Sequence, residues 1–240
     1  MTDCAASGSM IYSFSRLSLF EQCPFRFYLK YVKRRDEPVT LPLALGKATH
    51  KGIECRINTG CSIEEAVIEG FIEADFHPIS RTDLVWLIRS APVYNGMGKT
   101  EGHFLLPLSD SPSSPKIQGY IDLETENSFV DWKTNRVPYG IWDTMQMPLY
   151  AWAILKQREI PFIKGSLYFL RFKRWVSEVF NHSLAEVGRK WAYEIAMKIE
   201  QAKFLLELFP DRFKEVYPAK TSNRCKDCPF ALECYQTFKQ

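Results

Sequence analysis

The chain has 240 residues, of which 46% are hydrophobic and 25% are charged. This composition suits one domain with a sizeable core and excludes intrinsic disorder. Because 31 Lys and Arg nearly balance 28 Asp and Glu, the chain is not a polycation that coats nucleic acid indiscriminately. No apolar run approaches the roughly 18 residues that cross a bilayer, and the first ten residues lack a signal-peptide pattern. We therefore expect a cytoplasmic protein without membrane contact.

The first third of the chain has the apolar spacing of helices. Residues 15–31 predict a helix that breaks at Cys23, because a residue before proline avoids the helical conformation. A second helix is predicted over residues 46–57. Residues 62–65 carry the Ser-x-x-Glu pattern of a capping box, which predicts the start of a third helix.

The middle of the chain changes to the pattern of strands. The segments that are short, aromatic or β-branched and bounded by turn residues are 101–108, 117–125, 129–133 and 165–172. Residues 144–156 predict a crossover helix, in which Pro148 is tolerated only in the first turn. Ser183 and Glu186 form a second capping-box pattern ahead of a long helix. This order of elements predicts an α/β fold.

Two of the predicted strands carry a pair of carboxylates. A two-residue turn at Glu126 and Asn127 would place Asp122 opposite Asp131, with the side chains about 5 Å apart. The strand period of two places Lys133 on the face of Asp131. Like charges that face each other destabilise a sheet, so a cation should lie between them. Carboxylate oxygens suit Mg²⁺ or Mn²⁺, and an ammonium can stabilise an attacking hydroxide or the charge on a phosphate.

The alternative for this hairpin is a pair of exposed strands whose charges are only solvated. The apolar residues beside the acids, such as Val130 and Trp132, argue against it, because charges within a buried hairpin usually have a function. His50 at the head of its helix could join the same site, as could Gln146 and Tyr150, which lie one helical turn apart. Each of these three on its own has a common structural explanation.

Four motifs in this order resemble the PD-(D/E)XK nuclease superfamily, in its RecB-like branch. They are Gly46-Lys-Ala-Thr-His50, Gly119-Tyr-Ile-Asp122, Asp131-Trp-Lys133 and Gln146-Met-Pro-Leu-Tyr150. The resemblance extends over nearly the whole chain. It implies a single nuclease domain over residues 1–240, with a restriction-endonuclease-like core in which helices flank a mixed central β-sheet.

The resemblance also implies two overlapping sets of site residues. The implied metal ligands are His50, Asp122, Asp131 and the backbone carbonyl of Trp132. The implied catalytic residues are Asp122, Asp131, Lys133, Gln146 and Tyr150, with Lys133 as the catalytic lysine. Glu101 lies on the preceding strand and could serve as an accessory acid, but we assign it no catalytic role.

Three cysteines stand close together near the end of the sequence. Cys225, Cys228 and Cys234 would form a chelating arc that lacks one ligand of four. The candidates for the fourth ligand are Cys4, Cys23, Cys55 and Cys61. Cys23 is favoured, because this one-plus-three arrangement resembles the iron-sulfur subgroup of RecB-like nucleases. That subgroup includes AddB-type helicase-nucleases and CRISPR-associated exonucleases.

By this resemblance, a four-iron four-sulfur (4Fe-4S) cluster joins the two ends of the chain. The implied ligands are Cys23, Cys225, Cys228 and Cys234, in a subdomain of residues 11–35 and 220–240. Structural zinc is the alternative, since four thiolates also suit that metal. The cluster would close a loop of about 200 residues, so its expected role is structural. An odd number of cysteines without an export signal argues against a disulfide framework. The remaining three are therefore expected only to pack.

Basic residues gather in two short segments, 30–35 and 171–175, and aromatic residues are interleaved in the second. Cations beside stacking rings suit a single strand of DNA, although solvated charges at element ends are the alternative. We therefore expect a metal-dependent deoxyribonuclease that acts from the ends of single-stranded DNA. Its expected context is DNA repair, recombination or CRISPR adaptation, with a helicase or CRISPR adaptation proteins as partners. The second hypothesis is a non-catalytic iron-sulfur subunit that binds DNA or assembles a complex.

Overall fold

The computed structural model describes residues 11–239 and divides them into two compact units. Unit 1 consists of residues 11–38, 105–118 and 189–239, and unit 2 of residues 39–104 and 119–188. Along the described residues, no helix is both long and apolar enough to cross a bilayer.

The helices and strands are as follows, in chain order. The helices are α1 (Phe14–Gln22), α2 (Pro24–Phe27), α3 (Leu41–Thr59), α4 (Ile63–Glu73), α5 (Arg81–Ser90), α6 (Gln146–Arg158), α7 (His182–Leu208), α8 (Phe213–Val216) and α9 (Ala231–Phe238). A π-helical turn, Tyr28–Val32, follows α2. The strands are β1 (Ile11–Ser13), β2 (Lys99–Pro107), β3 (Lys116–Glu124), β4 (Ser128–Lys133), β5 (Phe162–Phe169) and β6 (Arg174–Asn181).

The sheet of unit 2 is mixed, as predicted. Strand β3 pairs with β2 and is antiparallel to β4, with Leu123 opposite Val130. Strands β4 and β5 are parallel, with Asp131 beside Leu167, and α6 connects them. Strand β6 is antiparallel to β5. The parallel pair requires the crossover helix, because a tight turn joins only antiparallel neighbours.

The two faces of β4 meet different helices. The core on one face combines α3, α5 and the sheet through Ile53, Ile57, Leu87, Val130, Trp132 and Tyr168. Since side chains alternate along a strand, Asp131 and Lys133 point to the other face. The start of α6 lies there, and Gly119 allows its close approach, because a Cβ at this position would stand 2.6 Å from the Phe104 ring and 3.1 Å from Tyr150.

Unit 1 contains its own parallel strand pair and an aromatic core. Tyr12 of β1 lies beside Ile117 of β3, and its hydroxyl donates a hydrogen bond to Glu200. The core aromatics are Phe20, Phe25, Phe27, Tyr28 and Tyr217. Their edge-to-face and stacked contacts hold α1, α2 and the segment after α8 together.

Several element predictions are confirmed. Cys23 has an extended backbone between α1 and α2. The capping box of Ser62 and Glu65 is present at the start of α4. Pro148 is the third residue of α6, so it lies in the first turn, where its missing amide removes no helical hydrogen bond.

Other element predictions are wrong in their limits. Helix α3 begins at Leu41 rather than near Gly46, because Pro42 fits a first turn as well as it fits a loop. Helix α7 begins at His182, and the Asn181 side-chain oxygen accepts a hydrogen bond from the Leu184 amide at 2.9 Å. The predicted capping box of Ser183 and Glu186 therefore lies inside the helix. Helix α5 and strands β1 and β6 were not predicted from the sequence.

Candidate active site and cysteine cluster

The β3–β4 hairpin brings its two acids to the point where the strands separate. The predicted two-residue turn is present, with the Thr125 amide 2.8 Å from the Ser128 carbonyl. The antiparallel ladder runs only to Leu123 and Val130. Beyond it, the Trp132 amide donates to Asp122 Oδ2 at 2.7 Å instead of to the neighbouring strand's backbone. The Asp122 carboxylate therefore replaces a ladder bond and is fixed beside β4.

Asp131, Lys133 and Gln146 form a closed polar network on the α6 face of the sheet. The Gln146 amide nitrogen donates to Asp131 Oδ1 at 2.7 Å, and the Lys133 ammonium donates to Gln146 Oε1 at 2.8 Å. Lys133 Nζ also lies 2.6 Å from Asp131 Oδ2. That oxygen is buried and accepts no hydrogen bond of acceptable angle, so its contact with Lys133 is an ion pair without full hydrogen bonding.

His50 of α3 approaches the second acid. Its Nδ1 lies 3.3 Å from Asp122 Oδ1. The site thus consists of two adjoining groups, His50 with Asp122 and Asp131 with Lys133 and Gln146. The sequence motifs of α3, β3, β4 and α6 that were singled out above all meet here.

Burial and neighbouring charges shift the pKa values of these groups in opposite directions. Burial raises the pKa of Asp131, and the Asp122 charge adds to this, although Lys133 opposes it. Burial also acts to raise the pKa of Asp122, but His50 and the Trp132 amide outweigh it and lower the value. Burial acts to lower the pKa of His50, but Asp122 and Asp131 raise it to about 9. Lys133 stays protonated, because Asp131 overcomes the burial that would lower its pKa.

The His50–Asp122 ion pair predicts a pH-dependent stability of the metal-free protein. Because the folded pKa of His50 is raised from 6.5 to about 9, the pair contributes fully below pH 6.5 and is lost as the pH rises through about 9. Between these limits, the free energy of unfolding should fall by on the order of 2 kcal/mol more in the parent than in His50→Asn. Urea unfolding in chelator measures this difference, and equal slopes in the two proteins would contradict it.

Three further residues border the network. Tyr150 is buried, its ring packs edge-on against Phe104, and burial raises its pKa. Tyr139, in the loop after β4, interacts through its hydroxyl with Lys133; the sequence reading missed it, because this loop has no periodic pattern. Glu101 has a left-handed backbone (φ 49°), and burial together with Asp122 raises its pKa to about 7.

The donor set suits a hard divalent cation. Among residues 11–239, no three His, Cys, Asp or Glu side chains are arranged as they stand to hold a metal ion. However, the incompletely bonded, buried Asp131 Oδ2 and the neighbouring carboxylate of Asp122 are the oxygen donors that Mg²⁺ and Mn²⁺ prefer. A buried acid, Asp131, beside the partly buried Asp122 also creates a demand for positive charge. The residues present therefore fit the metal.

The cysteines of unit 1 lie together. Cys23, Cys225 and Cys228 line one cavity, and burial with the charges of these three raises the pKa of the Cys234 thiol. None of the four is in a disulfide. The cavity also has a basic lining, formed by Arg26, Lys220 and Arg224. Among the described residues, these thiols are not arranged as they stand to hold a metal ion, but free thiols gathered beside cationic side chains are the kind of group from which a thiolate site is built.

The expectation that Cys55 and Cys61 only pack is wrong, because the structure joins them in a disulfide. Gly60 ends α3 in the left-handed conformation and turns the chain back, which brings the two Cα atoms to 6.1 Å. Neither cysteine is then free to act as the fourth ligand. Cys4 lies outside the described residues.

The two basic segments differ in how their charges are used. In the first, Lys30 pairs with Glu37, which also pairs with Arg26 outside the segment, and Arg35 lies 3.8 Å from Glu233. In the second, Arg171 donates to the Thr134 carbonyl at 2.9 Å. Much of the first segment's charge is therefore balanced within unit 1.

Comparison with known proteins identifies the family. The family model of the PD-(D/E)XK nuclease superfamily matches residues 11–235. The chain belongs to this superfamily. Membership makes this PD-(D/E)XK protein a hydrolase that acts on nucleic acid, in a superfamily whose members typically use Mg²⁺ or Mn²⁺.

Two further comparisons add little to this. A search of curated proteins finds no match. A solved structure titled "Crystal structure of SSO0001" is similar to this PD-(D/E)XK chain at 15% identity and a TM-score of 0.39, over 94% of this chain and 96% of that one. A TM-score this low gives the likeness no weight for fold or function.

Proposed function

We propose that the chain is a metal-dependent deoxyribonuclease that hydrolyses phosphodiester bonds from the ends of single-stranded DNA. The observation that carries the proposal is the buried network of Asp131, Lys133 and Gln146 beside Asp122. A protein that only bound DNA would gain nothing from a buried acid beside a partly buried one, which cost free energy unless a cation compensates them.

His50, Asp122, Asp131 and the Trp132 carbonyl would hold Mg²⁺ or Mn²⁺. When bound, the metal would polarise the scissile phosphate and lower the pKa of a water molecule. The chain's own contribution is to place a permanent positive charge, Lys133, at 2.8 Å from Gln146, which fixes its direction. Such a preorganised ammonium can orient the attacking water and stabilise the negative charge that grows on the phosphate.

We also propose that Cys23, Cys225, Cys228 and Cys234 bind a 4Fe-4S cluster. The cluster would tie together a subdomain of residues 11–35 and 220–240. Three free thiols that line one basic cavity, with the free thiol of Cys234 close enough to interact with them, support this proposal. Its role would be structural, because hydrolysis of a phosphodiester is redox-neutral. A helicase or CRISPR adaptation proteins as partners follow only from the sequence resemblance.

The activity can be tested with end-labelled DNA. Purified protein should degrade a linear single-stranded oligonucleotide in Mn²⁺ or Mg²⁺ and should stop in chelator. A circular single strand should resist, because it offers no end, and the matching duplex should be cut more slowly. Protein that binds the linear strand but cuts no DNA in either metal would favour the non-catalytic DNA-binding subunit instead.

A further inference from the structure

A groove in unit 2 leads away from the candidate active site along the start of α3. A cavity of about 550 Å³ includes His50 in its lining, and a second of about 660 Å³ lies beside it. The two share Pro42, Leu43 and Thr134 as lining residues. Because Thr134 directly follows Lys133, the second cavity continues the first from the end of β4. We call this second cavity the exit groove.

One wall of the exit groove is apolar and exposed. Leu41 and Leu43 of α3 each have a relative exposure of 52%, and Pro78 and Ile79 lie beside them. Large apolar side chains on a helix usually face the core, so two leucines exposed on one first turn are available to a ligand.

The other wall is basic. Arg171 is fixed by its bond to the Thr134 carbonyl, and its guanidinium lies 5.8 Å from the ring centre of Trp86, which is itself 41% exposed. Arg136 lines the groove and is exposed, and it makes no hydrogen bond or ion pair with any described residue. Asp83 is the one acid among the described residues that line the groove. The wall therefore carries net positive charge.

We propose that the exit groove binds the single-stranded DNA that adjoins the scissile phosphate. Arg136 and Arg171 would contact successive phosphates, and the apolar wall, together with Trp86, would contact the faces of unpaired bases. This assignment rests on the proposed nuclease function, which it extends to the path of the substrate.

The chemistry of the two walls favours a single strand over other ligands. Proteins that hold single strands combine a cationic track for the backbone with apolar or aromatic surfaces for the bases. A duplex keeps its base faces stacked inside, so it could use the arginines but not the leucines. An acidic peptide could also use the arginines, but the groove adjoins the candidate active site of a chain that belongs to a nuclease superfamily.

Binding in chelator, measured by fluorescence anisotropy with a labelled oligothymidylate, tests the groove without cleavage. Arg136→Ala should weaken binding roughly tenfold, since it removes a charge-assisted bond. It should also lower the slope of log K against log salt by about 0.7. The matched control is Lys164→Ala, which removes an exposed lysine near the start of β5, beside the turn between β3 and β4. This control should bind within about twofold of the parent.

A second pair of matched variants tests the apolar wall. Leu43→Glu should weaken single-strand binding roughly tenfold, because it removes an apolar contact with the bases and adds a negative charge beside the strand's phosphates. Ile72→Glu makes the same change on α4, at the same 52% exposure but outside the groove, and should have little effect. Both residues are exposed, so neither change should prevent folding.

Each outcome decides the proposal. Selective weakening by Arg136→Ala and Leu43→Glu supports it. Equal binding by the groove variants and the control variants would overturn it, and so would failure of the parent to bind the single strand. A parent that binds the duplex more tightly than the single strand, with duplex binding unaffected by Leu43→Glu, would also overturn it. Cleavage in Mn²⁺ is measured separately: a parent that cuts DNA while groove variants bind normally refutes the groove alone. A parent that binds through the groove without cutting refutes the nuclease function alone.

Discussion

Asp131→Asn should lower the rate of DNA cleavage by on the order of 1,000-fold or more, because it removes the charge of a proposed metal ligand, which would support several kcal/mol of transition-state stabilisation. Asparagine has nearly the same shape and keeps an oxygen that can accept from Gln146 or Lys133. The fold should therefore persist, and so should any colour from a cluster, since the four proposed cluster ligands belong to unit 1. Initial rates on a labelled single strand in Mn²⁺ measure the effect.

The control for this variant is Asp75→Asn, which changes an exposed acid of unit 2 at a left-handed position that asparagine tolerates. It should cleave like the parent. Digestion by Asp131→Asn at the rate of the Asp75 control, in preparations free of contaminating nuclease, would end the assignment of the site.

Lys133→Met separates metal binding from catalysis. It keeps most of the apolar stem but removes the ammonium, so cleavage should also be lost. Mn²⁺ affinity, measured by calorimetry, should fall in Asp131→Asn but not in Lys133→Met, because only Asp131 is an expected ligand. Affinity for single-stranded DNA should survive in Lys133→Met and weaken with salt, since phosphate contacts elsewhere carry it. Loss of Mn²⁺ binding in both variants would contradict these separate roles.

The hairpin was predictable from the sequence because its rules are local. A two-residue turn fixes the register, and the alternation of side chains then determines that Asp131 and Lys133 share a face. Even so, the sequence did not indicate that the Asp122 carboxylate would accept the hydrogen bond from the Trp132 backbone amide, or that the ladder would end there. That detail depends on where the strands separate, which the core packing of both decides.

The parts that were not predicted lack a periodic pattern or depend on distant segments. Tyr139 lies in an irregular loop, and only the fold brings it to Lys133. The disulfide of Cys55 follows from one left-handed glycine that reverses the chain. The exit groove combines the start of α3, the loop before α5 and the residues after β4, so no single stretch of sequence contains its pattern.

Cys23→Ser should remove the proposed 4Fe-4S cluster and destabilise the protein as much as Cys228→Ser does, although the two residues lie near opposite ends of the chain. The parent, prepared without oxygen, should be brown and contain iron and acid-labile sulfide in near-equal amounts. Zn²⁺ is colourless because it has a filled d shell. A colourless protein that carries zinc would therefore overturn the proposed cluster and leave the proposed nuclease site unaffected.

The equal effect is expected because either substitution opens the same loop. Closing a loop of about 200 residues contributes on the order of 5 kcal/mol by restricting the unfolded chain, and this contribution depends on both ends being held. The paired control is Cys55→Ser with Cys61→Ser, which removes the disulfide of unit 2 and should leave the iron content unchanged. Thermal unfolding and iron analysis of the parent, the two single variants and the paired control decide between these outcomes. If the Cys23 variant keeps full iron and melts like the parent, the fourth ligand is not Cys23.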